Sequence, residues 1–181
     1  MRSNLLTPKV PTGQPVQAYF VELLLSKNGT LVDRNVYWLS TQRDAVNWPK
    51  TLGQPQAVLS QYANLRSLRT LPHSSIVATA STTTRPGPGG ADRATTVTIA
   101  NTSASTVAFL LRADVRRGTA AGQELAGHNE LQSSLWQNND ITLFPGESQT
   151  LTVTWNSAGL QGATPVVSVS GWNVPKIDIL A

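Results

Sequence analysis

Residues 107–116 read VAFLLRADVR, and this stretch decides the fold class. Every second residue, starting with Val107, is apolar. The residues between them are apolar at first and charged from Arg112 onward, at Arg112, Asp114 and Arg116. A period of two is typical of a β-strand with one buried face, because successive side chains point to opposite sides of the strand. The stretch therefore predicts a strand whose inward face carries Val107, Phe109, Leu111, Ala113 and Val115, with Ala108, Leu110, Arg112, Asp114 and Arg116 on the outward face.

The same period recurs on both sides of that stretch. Many of the apolar positions are β-branched and alternate with threonine or serine, a composition that fits a pleated, half-buried surface. The inward positions predicted in this way are Val97, Ile99, Ile141, Leu143, Leu151, Val153, Trp155, Val167 and Val169.

Turn signals separate these segments. Residues 27–30 read KNGT between two apolar runs, which predicts a hairpin with a type I′ turn. Residues 144–147 read FPGE, which places proline and glycine where a type II turn needs them. Residues 86–90 read PGPGG and predict a loop. One short helical stretch is expected around residues 57–68.

The strand count predicts an all-β protein with an immunoglobulin-like β-sandwich. About seven strand candidates lie between residue 74 and the end of the chain, which is enough for one sandwich. Only two or three convincing strands precede them, residues 16–25 and 31–39 above all, and two strands are not stable alone. Residues 1–70 are therefore either part of the same domain or the remnant of a second sandwich, with residues 41–71 as a long connection.

Composition narrows the possible functions. The chain has 181 residues, 40% hydrophobic and 13% charged, which is too apolar for a disordered chain. Its net charge of +4 comes from scattered basic residues, so no nucleic-acid partner is predicted. No apolar run is long enough to cross a membrane. With no cysteine and only two histidines, His73 and His128, the sequence predicts no metal or other cofactor.

Catalytic residues are not predicted either. Glycoside hydrolysis needs two carboxylates that face one sugar, and the ten acidic residues are spread over separate strands and loops. Asp114 alternates outward beside Arg112 and Arg116, which favours a cross-strand ion pair. A serine triad lacks its Gly-x-Ser-x-Gly elbow.

The tryptophans are the best candidates for ligand contact, because their faces can stack on sugar rings. Trp155 lies on an inward face, and Trp38 and Trp172 are expected in a core or a domain interface. The remaining two tryptophans are the least committed to a core. The candidate carbohydrate or domain-interface contacts are Trp136, Asn138, Asn139, Asp140 and Trp48.

Five strings occur in an order that resembles the C-terminal immunoglobulin-like region of family 2 glycoside hydrolases of the exo-β-D-glucosaminidase type. The related β-mannosidase-like enzymes have a similar tail. The strings are RNVYWLS at 34–40, QYANL at 61–65, VAFLLRA at 107–113, LFPGES at 143–148 and VSGWNV at 169–174. One departure is the run after Trp136, where Asp140 stands at the position that is often aromatic in the family.

The resemblance implies that residues 1–70 are the C-terminal part of one immunoglobulin-like domain and residues 71–181 a complete one. It also implies a catalytic barrel elsewhere in the parent hydrolase, with the nucleophile and acid/base in that barrel. The partners implied are that barrel, the other domains and a glucosamine-containing polysaccharide such as chitosan. An extracellular parent enzyme is expected, although this chain has no signal peptide.

Three functions remain open. The first is a non-catalytic module that supports the catalytic barrel and contributes to its substrate cleft. The second is a carbohydrate-binding module, which the positive net charge disfavours because protonated glucosamine polymers are cations. The third is a free-standing binding or adhesion sandwich. An exposed apolar patch on residues 1–70 would favour the first function, because it would mark a missing partner domain.

Overall fold

A computed structural model of the chain describes residues 15–85 and 92–181. The described residues form an all-β structure with antiparallel sheets, as the sequence predicts. The chain divides into two compact units between Leu71 and Pro72. The glycine- and proline-rich loop predicted at residues 86–90 lies outside the described residues.

The first unit is built on one long hairpin. Strand β1 (Ala18–Lys27) pairs antiparallel with β2 (Thr30–Ser40). Asn28 and Gly29 connect the two strands with φ angles of 52° and 80°, which confirms the predicted turn with positive φ at both central residues.

The rest of the first unit is short and irregular. A two-residue strand β3 (Ala45–Val46), the single-turn helix α1 (Trp48–Thr51), strand β4 (Leu59–Gln61) and a 3₁₀ helix (Arg66–Thr70) follow the hairpin. The helix expected around residues 57–68 is wrong. The backbone there pairs across the chain, with β3 against β4 and the Asn47 amide donating to the Val58 carbonyl at 2.8 Å.

The second unit is a sandwich of two four-stranded sheets. One sheet has the order β5-β6-β10-β8 and the other the order β12-β11-β7-β9. Together they form the predicted immunoglobulin-like sandwich. The strands are β5 (Ile76–Thr84), β6 (Asp92–Asn101), β7 (Ala108–Gly118), β8 (Leu135–Trp136), β9 (Ile141–Leu143), β10 (Ser148–Asn156), β11 (Thr164–Gly171) and β12 (Val174–Leu180).

The core lies between the two sheets, as the alternation predicts. Its most deeply buried members come from the central strands of both sheets: Val97, Ile99, Leu111, Ala113, Val115, Leu151, Val153, Trp155, Val167 and Val169. The Trp155 indole N–H donates to Thr95 Oγ1 at 2.8 Å, so the largest core side chain keeps its polar atom satisfied.

Strand β7 contains a bulge that changes its pattern. Ala108 pairs with Leu143 and Leu111 with Ile141, so β7 carries one extra residue between these pairs, and Leu110 has a φ of 49°. Ala108, predicted on the outward face, is fully buried in the core, whereas Val107 is only half-buried, so the inward placement predicted for Val107 is wrong. Phe109 is buried, as predicted.

The segment 144–147 forms the predicted turn before β10. The Glu147 amide donates to the Phe144 carbonyl at 3.1 Å, and Gly146 has a φ of 79°, as a type II turn requires. The Glu147 carboxylate also accepts from the Phe144 amide at 2.7 Å, so this carboxylate stabilises the turn.

Candidate functional site

The predicted contact residues lie in both units. Trp136 ends strand β8 in the second unit and Asn138, Asn139 and Asp140 follow it, whereas Trp48 begins helix α1 in the first unit. The structure therefore places four of the five predicted residues at the end of β8 and in the loop that follows it.

Trp136 is held against the core of the second unit. It pairs with Val153, and cross-strand partners share a face, so the indole points inward with the buried valine. The indole N–H is buried, and the described part of the chain gives it no hydrogen-bond partner. Only part of this ring is accessible to a ligand.

Asn139 extends the β7–β9 ladder with its side chain. Leu111 pairs with Ile141, and continuing this register by two residues places Asn139 opposite Ala113. The side chain of Asn139 makes the two hydrogen bonds that the backbone of a neighbouring strand would make. Its Oδ1 accepts from the Ala113 amide at 2.9 Å, and its Nδ2 donates to the Ala113 carbonyl at 2.8 Å. Asp140 has a φ of 54°, a left-handed conformation that breaks the strand at this point. Asn138 and Asp140 themselves are exposed.

Trp48 is exposed over 68% of its surface, whereas Trp136 is half-buried. Its single-turn helix is capped by Asn47, whose Oδ1 accepts from the Lys50 amide at 3.2 Å. The indole therefore projects from a short, capped turn on the surface.

Trp172 is also exposed, at 57%. It lies in the turn between β11 and β12, and its ring packs edge to face on the buried Phe109, with the two ring centroids 6.4 Å apart. The side chain of Asn173 fixes this turn. Its Nδ2 donates to the backbone carbonyls of Pro72 and Val107, both at 2.8 Å, and its Oδ1 accepts from the backbone amide of Phe109 at 3.0 Å. The predicted interface role of Trp172 stays a prediction.

The β1–β2 hairpin exposes apolar side chains on both of its faces. Leu24 lies on the face of Phe20 and Trp38, while Leu25 lies on the opposite face, and these two leucines are 57% and 61% exposed. The other exposed apolar residues of the hairpin are Leu23, Leu31, Val32, Tyr37, Trp38 and Leu39. Two strands that expose so much apolar surface lack the cover that a stable sheet needs. We call these residues the hairpin surface.

A charged network covers the outer face of the β7–β11–β12 sheet. Arg116 is central, with nitrogens 2.7 Å from Glu124, 3.4 Å from Asp114 and 3.9 Å from Glu130. Lys176 extends the network by pairing with Glu124 and with Asp178. Asp114 pairs with Arg112 and Arg116 of its own strand, whereas the sequence predicts a cross-strand ion pair.

These carboxylates are poorly suited to proton transfer. Desolvation, the largest effect on Glu124, favours its protonated form, yet hydrogen bonds and charges from Lys176 and Arg116 hold its pKa below the ordinary value. Desolvation is also the largest effect on Asp178 and raises its pKa, but the Ser168 hydroxyl, the Glu124 amide and Lys176 together hold that pKa below the ordinary value. A general acid at neutral pH needs a raised pKa, so the arrangement supports a stabilising role.

A polar groove of about 490 Å³ opens in the second unit beside this network. It is lined by Arg117, His128, Glu130, Leu131, Gln132, Ser133, Asn156, Gly159 and Gln161. The sequence gives no signal for this site, because its residues come from a loop, two strands and a 3₁₀ turn that only the fold brings together.

Residues 15–85 and 92–181 lack two other classes of site. This part of the chain has no cluster of three or more histidine, cysteine or acidic side chains suited to a metal ion. It also has no helix of the length and apolarity that a membrane span requires.

Comparison with known proteins identifies relatives of one kind. The sequence profile of the exo-β-D-glucosaminidase Ig-fold domain matches residues 56–174. The exo-β-D-glucosaminidase of Streptomyces avermitilis is 40% identical over 164 residues, which cover 90% of this chain and 17% of that protein. The enzyme of the same name from Amycolatopsis orientalis is 38% identical over 156 residues, which cover 83% of this chain and 14% of that protein.

A solved structure shows the same fold. The crystal structure of Amycolatopsis orientalis exo-chitosanase CsxA matches 91% of this chain with a TM-score of 0.73 and 33% sequence identity. The match covers 18% of the CsxA chain. The predicted family resemblance is confirmed, and the chain spans less than a fifth of the length of these relatives.

Proposed function

The chain belongs to the family of exo-β-D-glucosaminidase Ig-fold domains, and we propose that it is a non-catalytic, structural part of a larger glycoside hydrolase. In this proposal it packs against the catalytic barrel and the other domains of the parent enzyme. The parent enzyme hydrolyses glucosamine-containing polysaccharide such as chitosan, in keeping with the names of the relatives, and acts outside the cell.

The hairpin surface is the observation that supports this role. Its leucines and aromatic residues are exposed on both faces of a two-stranded sheet, although such side chains normally favour burial. Their natural cover is the remaining strands of an immunoglobulin-like domain and the neighbouring parts of the same enzyme. The short match to the relatives leaves ample chain for that cover, since it accounts for 17% of the Streptomyces protein.

A free-standing sandwich is less well supported. Such a protein would need a polar, capped edge on its first unit, and the described hairpin presents leucines there. Residues 1–70 are accordingly proposed to complete an immunoglobulin-like domain whose other strands lie in the parent enzyme, with residues 71–181 as the final domain.

The test uses the Streptomyces avermitilis enzyme as a host. Four proteins are compared: the whole enzyme, the enzyme without the matched region, a chimera in which this chain replaces that region, and a control chimera with an unrelated β-sandwich of similar size. The melting temperature and the hydrolysis of p-nitrophenyl β-D-glucosaminide are measured for each, and hydrolysis is also measured for this chain alone.

The proposal expects no hydrolysis by this chain alone. It also expects a melting temperature and kcat/KM that fall on deletion and recover in the chimera with this chain, but not in the control chimera. Hydrolysis by the chain alone, or a truncated enzyme as stable and active as the whole one, would contradict it.

A further inference from the structure

We propose that the polar groove of the second unit is an accessory binding site for a short amino-sugar oligosaccharide. The inference rests on the proposed function only for the choice of sugar, since the groove itself is defined by described side chains. Its volume of about 490 Å³ lies within the range of small-ligand sites, about 300–1,000 Å³.

Glu130 supplies the charge that such a ligand would need. Its carboxylate lines the groove, and its nearest cation among the described residues is Arg116, at 3.9 Å. Arg116 is much closer to Glu124, at 2.7 Å, so the positive charge of Arg116 mainly neutralises Glu124 and not Glu130. Glu130 is also the more accessible carboxylate, with 41% of its side chain exposed against 11% for Glu124. It is therefore the under-neutralised acid of the network and can accept hydrogen bonds from a ligand ammonium group.

Arg117 lies beside Glu130 in the lining of the groove. Its guanidinium group donates to Gln161 Oε1 at 2.6 Å and to the His128 carbonyl at 3.0 Å. A guanidinium group has five N–H donors, so three remain for the hydroxyl oxygens of a ligand. The groove therefore presents Glu130 to an ammonium group and Arg117 to neutral acceptors, a combination that suits an amino sugar.

The remaining lining suits the hydroxyl groups of a sugar. Gln132 and Ser133 are exposed and have no side-chain partner within the described residues, so both can bond to sugar hydroxyls. Leu131 also lines the groove, but it is only 5% exposed, so it offers a ligand little apolar area. Gly159 leaves space beside it, because a Cβ there would lie 3.5 Å from Leu131 Cγ and a larger side chain would fill that space.

The test is a titration of the ¹⁵N-labelled 181-residue chain with the glucosamine trisaccharide, followed by amide NMR shifts. Its N-acetylated counterpart, which lacks the ammonium groups, is titrated in parallel. The variants are Glu130→Gln, Gln132→Ala and the groove-filling Gly159→Leu. Gln123→Ala, an exposed glutamine that does not line the groove, is the matched control. The NMR spectrum of each free variant confirms that it is folded.

The proposal expects saturable shifts confined to residues 117, 128–133 and 156–161, with weaker binding of the N-acetylated sugar. Glu130→Gln is expected to weaken binding about three- to tenfold, as for a partly exposed charged hydrogen bond. Gly159→Leu should abolish binding, and Gln123→Ala should leave it unchanged. The proposal is overturned by an absence of saturable shifts, by shifts centred on Trp48 or residues 136–140, or by equal binding to Glu130→Gln. None of these outcomes affects the chimera experiment, so the two proposals fail separately.

Discussion

Replacing Asn139 by alanine removes a side chain that takes the place of a β-strand in the ladder. The substitution leaves both the amide and the carbonyl of Ala113 without their partners, which lie at 2.9 Å and 2.8 Å in the intact chain. Ala113 has no exposed surface, and each buried backbone group that loses its partner costs about 1–3 kcal/mol. Because Asn139 is itself only half-buried, water can replace part of this bonding. We expect the free energy of unfolding of the second unit to fall by about 2–4 kcal/mol.

Urea denaturation followed by tryptophan fluorescence measures this change, since Trp155 is buried in the core of the second unit. The neighbouring Asn138→Ala is the matched control, because Asn138 is exposed and should cost less than about 0.5 kcal/mol. Equal losses for the two variants, or a loss below about 0.5 kcal/mol for Asn139→Ala, would refute the assignment of Asn139 as a ladder partner.

Three further outcomes are expected in the second unit. Gly118→Ala should lower the free energy of unfolding by about 1–3 kcal/mol in urea denaturation, because its Cβ would lie 2.1 Å from Val166 Cγ2; an unchanged midpoint would contradict the packing described. Trp155→Phe should cost about 2–4 kcal/mol by the same assay, since it loses core volume and the bond to Thr95; a cost below 1 kcal/mol would show that this bond is unimportant. The Glu124 pKa is lower in the folded state than its ordinary 4.5, so its ionisation stabilises the fold above that pH and this contribution is lost as the pH falls below it. Chemical denaturation at several pH values should therefore show the stability gap between the intact chain and Glu124→Gln narrowing below pH 4.5, and a constant gap would contradict the ion pairing.

The fold of the second unit could be predicted because its strands obey local rules. Positions such as Val97, Val153 and Val167 alternate with polar residues, and each is fully buried in the core between the sheets. The turns at residues 27–30 and 144–147 were predictable for the same reason, since asparagine, proline and glycine at those positions restrict the backbone to few conformations.

The bulge in β7 was not predictable from the same pattern. An alternating sequence does not show where an extra residue is inserted, because that depends on the pairing with β9. Leu110 in a left-handed conformation has no sequence signal, since leucine is rare there.

The candidate site was predicted only in part. Exposure of Trp48 was foreseeable from the neighbouring proline and the polar residues around it. The inward orientation of Trp136 follows from its pairing with Val153, a long-range contact that local sequence does not reveal. Asn139 was interpreted as a contact residue, whereas its side chain bonds to the backbone of Ala113, a residue 26 positions earlier.

The central claim is that the hairpin surface is covered in the parent enzyme. The most direct measurement compares the double variant Leu24→Ser/Leu25→Ser, which alters both faces of the hairpin, in this chain alone and in the Streptomyces chimera. Lys27→Ser, at the tip of the same hairpin, is the control. Burial of a leucine contributes about 1.5–3 kcal/mol, so the double variant should lower the stability of the chimera by about 3–5 kcal/mol. The same variant should change the isolated chain by less than about 1 kcal/mol. Equal effects in the two settings would show that no part of the enzyme covers the hairpin surface, which would contradict the structural role proposed for this chain.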